Sequence, residues 1–231
     1  MPKNIGISGR SNCLSCKKQI KWYDNIPLLS YILLKAKCRN CLSKIDIEYF
    51  IVELISAISF LTIYHYFGIS LDSLFFFIIK IFFIIIFFID LRHFIIPNEL
   101  TYSLMVIGFF KTFFIHSNLL LFPDYIDSVI GGLAGFFIIW LIIFLYKKLK
   151  NIEGMGLGDA KLLSSLGFCF GWLSLPFILI FSSLIALLIT LPSLIKKTKN
   201  MTTKIPFGPY LILGCLFYLI FSDKITKIIF L

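Results

Sequence analysis

From Glu48 onward the chain alternates long apolar runs with short polar breaks. Seven such runs occur, at roughly 49–67, 72–89, 100–116, 125–146, 160–173, 174–195 and 206–222. Most are apolar on every side rather than along one stripe, and most approach the ~20 residues that a helix needs to cross a bilayer. The fifth run is shorter and is expected to be tilted, thin or partly re-entrant. Residues 1–47 are instead polar. The pattern predicts an all-α polytopic membrane protein with about seven transmembrane helices. A small N-terminal cytoplasmic domain is expected at 1–47 and a transmembrane domain at 48–231. With the sequence opening on Met1-Pro2-Lys3, neither a signal peptide nor an apolar span is expected ahead of the polar domain.

Composition agrees, with 59% hydrophobic and 17% aromatic residues and a mean hydropathy of +0.95. The formal charge of +10 raises nucleic-acid binding, so the placement of the charges decides. Residues 1–47 carry nine Lys or Arg, the 90–99 break one, 147–161 four and 196–204 four, which is 18 of the 22. These stretches alternate across the seven spans, and the loops at 68–71 and 117–124 carry none. Basic loops stay in the cytoplasm, so the charge sets topology and no nucleic-acid partner is needed to explain it. Lys224 and Lys227 fall on the outer side, against the trend. The expected location is the bacterial inner membrane, with lipid as the surrounding medium.

The polar domain holds Cys13-Leu-Ser-Cys16 and Cys38-Arg-Asn-Cys41, separated by 21 residues. Each pair continues with the same spacing to an isoleucine, Ile20 and Ile45, so the two read as copies of one knuckle. A Cys-x-x-Cys turn points two thiolates at one ion, and two turns complete a tetrahedron for structural zinc. Zinc would also stabilise a segment too small for its own core. Two disulfides or an iron–sulfur site are the alternatives. Trp22-Tyr23-Asp24-Asn25-Ile26-Pro27, between the pairs, supplies packing. Cys169 and Cys215 lie in apolar runs and read as ordinary buried cysteines.

Two acids stand out at the cytoplasmic boundary. Asp90 ends the second run, before Ile96-Pro97-Asn98; Asp159 follows Gly154-Met155-Gly156-Leu157-Gly158 and opens the fifth. A bland reading has Asp159 capping the helix that follows and Asp90 solvated beside Arg92. A phosphate loop is excluded by the missing Gly-Lys-Ser/Thr ending. Ionisable groups at a bilayer boundary are costly unless paired, hydrated or useful. If the two carboxyls meet, one proton is shared across them, the arrangement with which an aspartic protease activates water and polarises a carbonyl. Glu53, one turn into the first span, is a candidate lining residue or a snorkelling interfacial acid. Lys161 is a candidate carbonyl or carboxylate partner, or a boundary anchor. Lys80 and Lys111 are expected to face the bundle or snorkel. His65, His93 and His116 have no ligand-like partners, so a catalytic metal finds no support, and Gly-x-Ser-x-Gly is absent.

Taken together these residues resemble the prepilin peptidases, the leader peptidases of type IV pili and type II secretion. The resemblance runs from about Pro2 to about Tyr218. It rests on the knuckle domain, Val52-Glu53-Leu54, Asp90 with Ile96-Pro97-Asn98, Gly156-Leu157-Gly158-Asp159-Ala160-Lys161-Leu162, and Pro206-Phe207-Gly208-Pro209-Tyr210. It implies an aspartic endopeptidase of the Gly-x-Gly-Asp type with Asp90 and Asp159 as the catalytic pair. Its substrates would be prepilins or pseudopilins, cut on the cytoplasmic side after the glycine that ends a short basic leader. Many members also methylate the new N-terminus with S-adenosylmethionine, for which the sequence offers no motif of its own. The family's usual apolar helix before the knuckle domain has no counterpart here, Met1-Pro2-Lys3 resembling the stretch that follows it. Two rival classes are a transporter, which would carry a repeat of its spans that is not evident here, and a zinc-bearing scaffold without catalysis.

Overall fold

The computed structural model describes residues 11–114, 123–150, 156–195 and 205–229. Residues 1–10, His116, most of the 117–124 loop, Gly154, Met155 and the basic stretch 196–204 lie outside the described residues, as do the side chains of Lys224 and Lys227. The chain divides into two compact units, Met1–Gly68 and Ile69–Leu231.

The first unit holds the two knuckles, a 3-10 turn Trp22–Asn25, the short helix α1 (Leu29–Leu33) and the long helix α2 (Ile47–Phe67). The Asp46 side chain caps α2 by accepting the Glu48 N–H at 3.1 Å. Gly68 ends it with φ +58°, a conformation that glycine adopts without the usual Cβ penalty. Among the described residues this unit has no β-strand, only isolated bridges joining Asn12 to Gln19 and Lys37 to Lys44.

The second unit is helical: α3 (Leu71–His93), α4 (Asn98–Phe114), α5 (Tyr125–Lys150), α6 (Leu157–Phe170), α7 (Ser174–Ile195) and α8 (Gly208–Ile229). With α2, these helices fall on the seven apolar runs of the sequence. Four stretches are long and apolar enough to cross a bilayer by length and composition: Ile47–Phe67, Leu71–His93, Tyr125–Leu149 and Ser174–Leu191. Many large apolar side chains point outward, among them Phe137, Leu188 and Ile189, as expected where lipid rather than water surrounds the helices.

Helix α6 sits at the centre, with α4 and α5 packed along it and α7 and α8 paired beside them. Ten of its fourteen residues are buried. At 1.5 Å per residue it is about 21 Å long, short of the ~30 Å hydrocarbon core. Its close approach to α5 runs through Gly131 and Gly167. A Cβ on Gly167 would lie 2.1 Å from the Gly131 carbonyl oxygen, so neither position has room for a side chain. Ser164 Oγ donates to the Gly132 carbonyl at 2.7 Å and ties the seam together.

The short helix ends inside the bundle, where its last carbonyls need donors. They find them in succession. The Gly171 N–H donates to the Gly167 carbonyl at 2.8 Å, Ser128 Oγ to that of Phe168 at 2.7 Å, and the Lys111 ammonium to that of Cys169. Lys111 is therefore a bundle-facing lysine, its Nζ also 4.6 Å from the centroid of the Phe75 ring. Gly108, one turn before it on α4, makes room for this contact: a Cβ there would lie 2.9 Å from the Cys169 amide nitrogen.

Candidate active site

Asp90 occupies the last turn of α3 and is only 4% exposed. The helix stops three residues later because Phe94 takes the left-handed conformation, φ 56°, and returns its N–H to the Asp90 carbonyl at 2.9 Å. The chain then passes through Ile95 and Ile96 to Pro97, whose carbonyl accepts the Thr101 N–H at 3.3 Å and starts α4. Pro97 and Asn98 thus form the corner between α3 and α4.

Asp159 is 8% exposed and lies on the third residue of α6. The helix begins at Leu157, earlier than the apolar run at 160, because Gly156 serves as its N-cap. Asp159 reaches back and accepts the Gly156 N–H through Oδ2 at 3.3 Å, a position where the positive end of the helix favours an acid. The glycines differ in what they require. Gly156 has an ordinary extended backbone, φ −87°, and a Cβ there would meet nothing closer than 3.8 Å. Gly158 is a packing glycine, since a Cβ there would lie 3.2 Å from Ile96 Cβ.

Ile96 joins the two acids' surroundings. It packs against Gly158, next to Asp159, and against Gly208, where a Cβ would lie 3.0 Å from Ile96 Cδ1. Gly208 opens α8, and its N–H donates to Asp90 Oδ2 at 3.0 Å. Asp90 is close enough for its charge to act on Asp159. Each carboxyl thus has its Oδ2 fixed by a glycine N–H, and among the described residues neither carboxyl forms an ion pair. Two buried acids without a cation of their own hold a shared proton most cheaply.

Lys161 makes its contacts with α4. Its Nζ donates to Asn98 Oδ1 at 2.7 Å and lies 5.3 Å from the Tyr102 ring centroid. The contact latches the first turn of α6 onto the first turn of α4. In the other unit, Glu53 Oε2 accepts the Leu28 N–H at 2.8 Å. It thereby holds a residue whose φ of 61° is unfavourable for leucine. No role for Ile96 or Gly208 was legible before the fold, although both stand in motifs quoted above. A glycine between two prolines near a helix start, as in Pro206-Phe207-Gly208-Pro209, was the available signal.

The four knuckle cysteines cluster. Their sulfurs all lie within 4.8 Å of one another, with Cys13 Sγ to Cys41 Sγ at 3.8 Å, and all four are unpaired thiols. Four sulfurs at ~2.3 Å from a tetrahedral ion sit about 3.8 Å apart, so the spacing suits a metal and is far from a disulfide's ~2.05 Å. The two knuckles share one backbone pattern. Cys13 N–H bonds to Lys18 O and Lys17 N–H to Cys13 O, as Cys38 N–H does to Ser43 O and Leu42 N–H to Cys38 O. Lys17 and Leu42 both sit at φ 57°.

The N–H groups of Cys16 and Ser15 lower the Cys13 thiol to about 6. Ser43, through its hydroxyl and then its N–H, lowers Cys41. The Lys18 N–H also favours the Cys16 thiolate, but lost solvation and the neighbouring sulfurs outweigh it and push Cys16 up to about 11. A bound cation would relieve that crowding, so the cluster is one that could hold a metal ion.

The family model described as "Bacterial Peptidase A24 N-terminal domain" matches residues 1–67, and the "Type IV leader peptidase family" model matches residues 75–191. Among curated proteins, the Prepilin leader peptidase/N-methyltransferase of Aeromonas hydrophila is 34% identical over 98% of this chain and 76% of its own length. That of Vibrio cholerae serotype O1 is 39% identical over 78% of this chain and 69% of its own. The Pseudomonas aeruginosa protein of the same name is 32% identical over 94% and 73%. No solved structure matches. Matches of this extent, over ranges that contain the knuckles and both acids, make the chain a member of the type IV leader peptidase family.

Proposed function

We propose that the protein is a membrane-embedded aspartic endopeptidase that removes the short basic leader of type IV prepilins or pseudopilins, with Asp90 and Asp159 as the catalytic pair. The observation that carries this reading is the convergence of two buried carboxyls around Ile96, each tied to a glycine N–H and neither paired to a cation. With one proton between them, the ionised carboxylate takes a proton from water as the water oxygen attacks the scissile carbonyl carbon. The protonated partner gives its proton to the carbonyl oxygen. Collapse of the tetrahedral intermediate breaks the C–N bond, and the departing amine takes up a proton. The products are a leader ending in a carboxylate and a mature chain with a new N-terminal amine.

Cleavage on the cytoplasmic side is supported by the basic residues at the helix ends near both acids, Arg92, Lys147, Lys148 and Lys161. Prepilins present a basic leader ahead of a hydrophobic helix, so the leader would meet the acids at the membrane boundary. For the knuckles we assign structural zinc to Cys13, Cys16, Cys38 and Cys41, whose sulfur spacing and all-thiol set suit that ion. Its contribution would be to fold the first unit. The relatives' names add N-methylation of the new N-terminus, and S-adenosylmethionine is the methyl donor such chemistry calls for. No side chain here is assigned to it.

The test is cleavage of a prepilin in membranes containing the parent protein, Asp90→Asn or Asp159→Asn, with both products identified by mass. Each substitution is expected to lower the rate by about 10³-fold or more at unchanged expression. Parent-level cleavage by either variant removes that aspartate from the mechanism. Full cleavage by both returns the protein to the class of zinc-bearing scaffolds.

A further inference from the structure

The mechanism uses the Asp90 carboxyl but leaves open what aims it. The backbone of Asp90 is fixed by the Phe94 turn; its side chain is fixed from another helix, more than a hundred residues along the chain. The first N–H groups of a helix have no intrahelical acceptor. In α8, Leu211 N–H already bonds to Phe207 O, Pro209 has no N–H, and Gly208 N–H goes to Asp90 Oδ2 at 3.0 Å. Among the described residues this is the hydrogen bond that Asp90's carboxyl receives, which leaves Oδ1 without a protein donor and available to take a proton from water.

The absence of a side chain at Gly208 matters as much as its N–H. A Cβ built there would lie 2.6 Å from Asp90 Oδ2, 3.0 Å from Ile96 Cδ1 and 3.3 Å from Asp90 Cγ. All three are side-chain atoms, and none belongs to the backbone of a neighbouring helix. By contrast, a Cβ on Gly131, Gly135, Gly167 or Gly214 would strike backbone. A methyl group at 208 therefore leaves the frame of the bundle standing and presses on the reacting carboxyl.

From this we infer that Gly208 is a positioning residue for peptide cleavage: its N–H anchors Oδ2 of Asp90, and its bare α-carbon reserves the space that carboxyl occupies. The inference rests on Asp90 being catalytic, as proposed above. Ile96 supports the arrangement by filling the gap between Gly208 and Gly158, so that one side chain is shared by the surroundings of both acids.

The experiment compares Gly208→Ala with the parent, Asp90→Asn, Asp90→Ala and Asp90→Ala/Gly208→Ala, each as full-length protein in membranes and in detergent. Gly208→Ala must move the carboxyl by several tenths of an ångström; since a misplacement of about 1 Å can cost about 100-fold in rate, a loss of about 10-fold or more is expected. The expected result is that loss in kcat with KM near the parent's. Stability should respond differently. Gly208→Ala should lower the melting temperature more in the parent than in the Asp90→Ala background, where Ile96 Cδ1 is the one of the three crowded atoms that remains.

If Asp90→Asn cleaves normally, the catalytic reading fails and takes this one with it. If Asp90→Asn is inactive while Gly208→Ala cleaves at the parent's rate, Gly208 alone loses its role. Should Gly208→Ala fail to fold, recovery of folding in the double variant supports the contact, whereas failure of both overturns it.

Discussion

Single side chains in this protein separate into the two acids proposed to react and those that hold something else in place. Asp24 is of the second kind. Arg39, from the second knuckle, bonds to it in a bidentate fashion, with Nη2 to Oδ1 at 2.6 Å and Nε to Oδ2 at 2.9 Å. This lowers the Asp24 carboxyl from its usual range. A carboxyl depressed in the folded state stabilises above its unfolded value, and that contribution fades as pH falls through the lower, folded value. Asp24→Asn should therefore lower the first unit's stability at neutral pH towards its acid value, flattening the acid limb of the unfolding profile and changing little at low pH. An unaltered acid limb would show that the pair does not couple to folding. On the proposed zinc assignment, Cys41→Ser should reduce bound zinc from one equivalent to nearly none, read by metal analysis of the purified protein.

The two acids proposed as the catalytic pair were legible as residues because an Asp after alternating glycines and an Asp ending an apolar run are both costly at a bilayer boundary. The groups that aim them were not. Gly208 acts through the absence of a side chain and through a backbone N–H, and neither leaves a chemical signature in a one-dimensional pattern. Lys161 was legible as a charge but not as the partner of Asn98, 63 residues away.

Among the helices, α6 carries the argument. Its N-terminal turn holds Asp159 and its C-terminal turn receives Lys111, so an acid and a cation sit at the ends where the helix dipole favours them. Lys111→Met should leave the Cys169 carbonyl without that donor and cost about 1–3 kcal/mol in a detergent unfolding measurement. Gly167→Ala should cost at least as much, on the order of 1–3 kcal/mol, because its methyl meets the Gly131 backbone. Parent-like stability in either variant would mean the seam is looser than described.

The shortness of this helix was visible in the sequence, where the fifth run was the briefest. Its start was not, because Leu157 and Gly158 belong to the glycine run and carry no helical periodicity of their own. Gly156 could serve as N-cap without a side chain, and Asp159, three residues on, supplied the acceptor. Nor did the run reveal what would satisfy the helix end. Ser128 and Lys111 come from α5 and α4, and only packing brings them to the Phe168 and Cys169 carbonyls.

Taken as a molecule, the chain joins a thiol-clustered unit to a helical one, and the two draw on different sources of stability. The first contains a 3-10 turn, a five-residue helix and the cysteine cluster ahead of α2, too little apolar burial to fold without a staple. The second has a continuous interior from Phe75 through Leu104, Leu163 and Ile178 to Tyr218. Chelation should therefore open the lysine-rich segment around Lys17, Lys18, Lys35 and Lys37 to trypsin while fragments from the second unit persist. Loss of both units together on chelation would contradict that division. The class of the molecule was plain from the apolar runs alone, whereas the convergence of α3, α4, α6 and α8 on one pair of acids required three dimensions.

The central claim is that Asp90 and Asp159 act as one unit. It is tested most directly by the single-turnover rate of prepilin cleavage in Asp90→Asn, Asp159→Asn and the double variant, measured side by side in membranes. Groups that work together fail together. The account predicts that both single variants fall to the same residual rate and that the double variant falls no further. A single variant that cleaves like the parent, or a double variant slower by the product of the two separate losses, would contradict it.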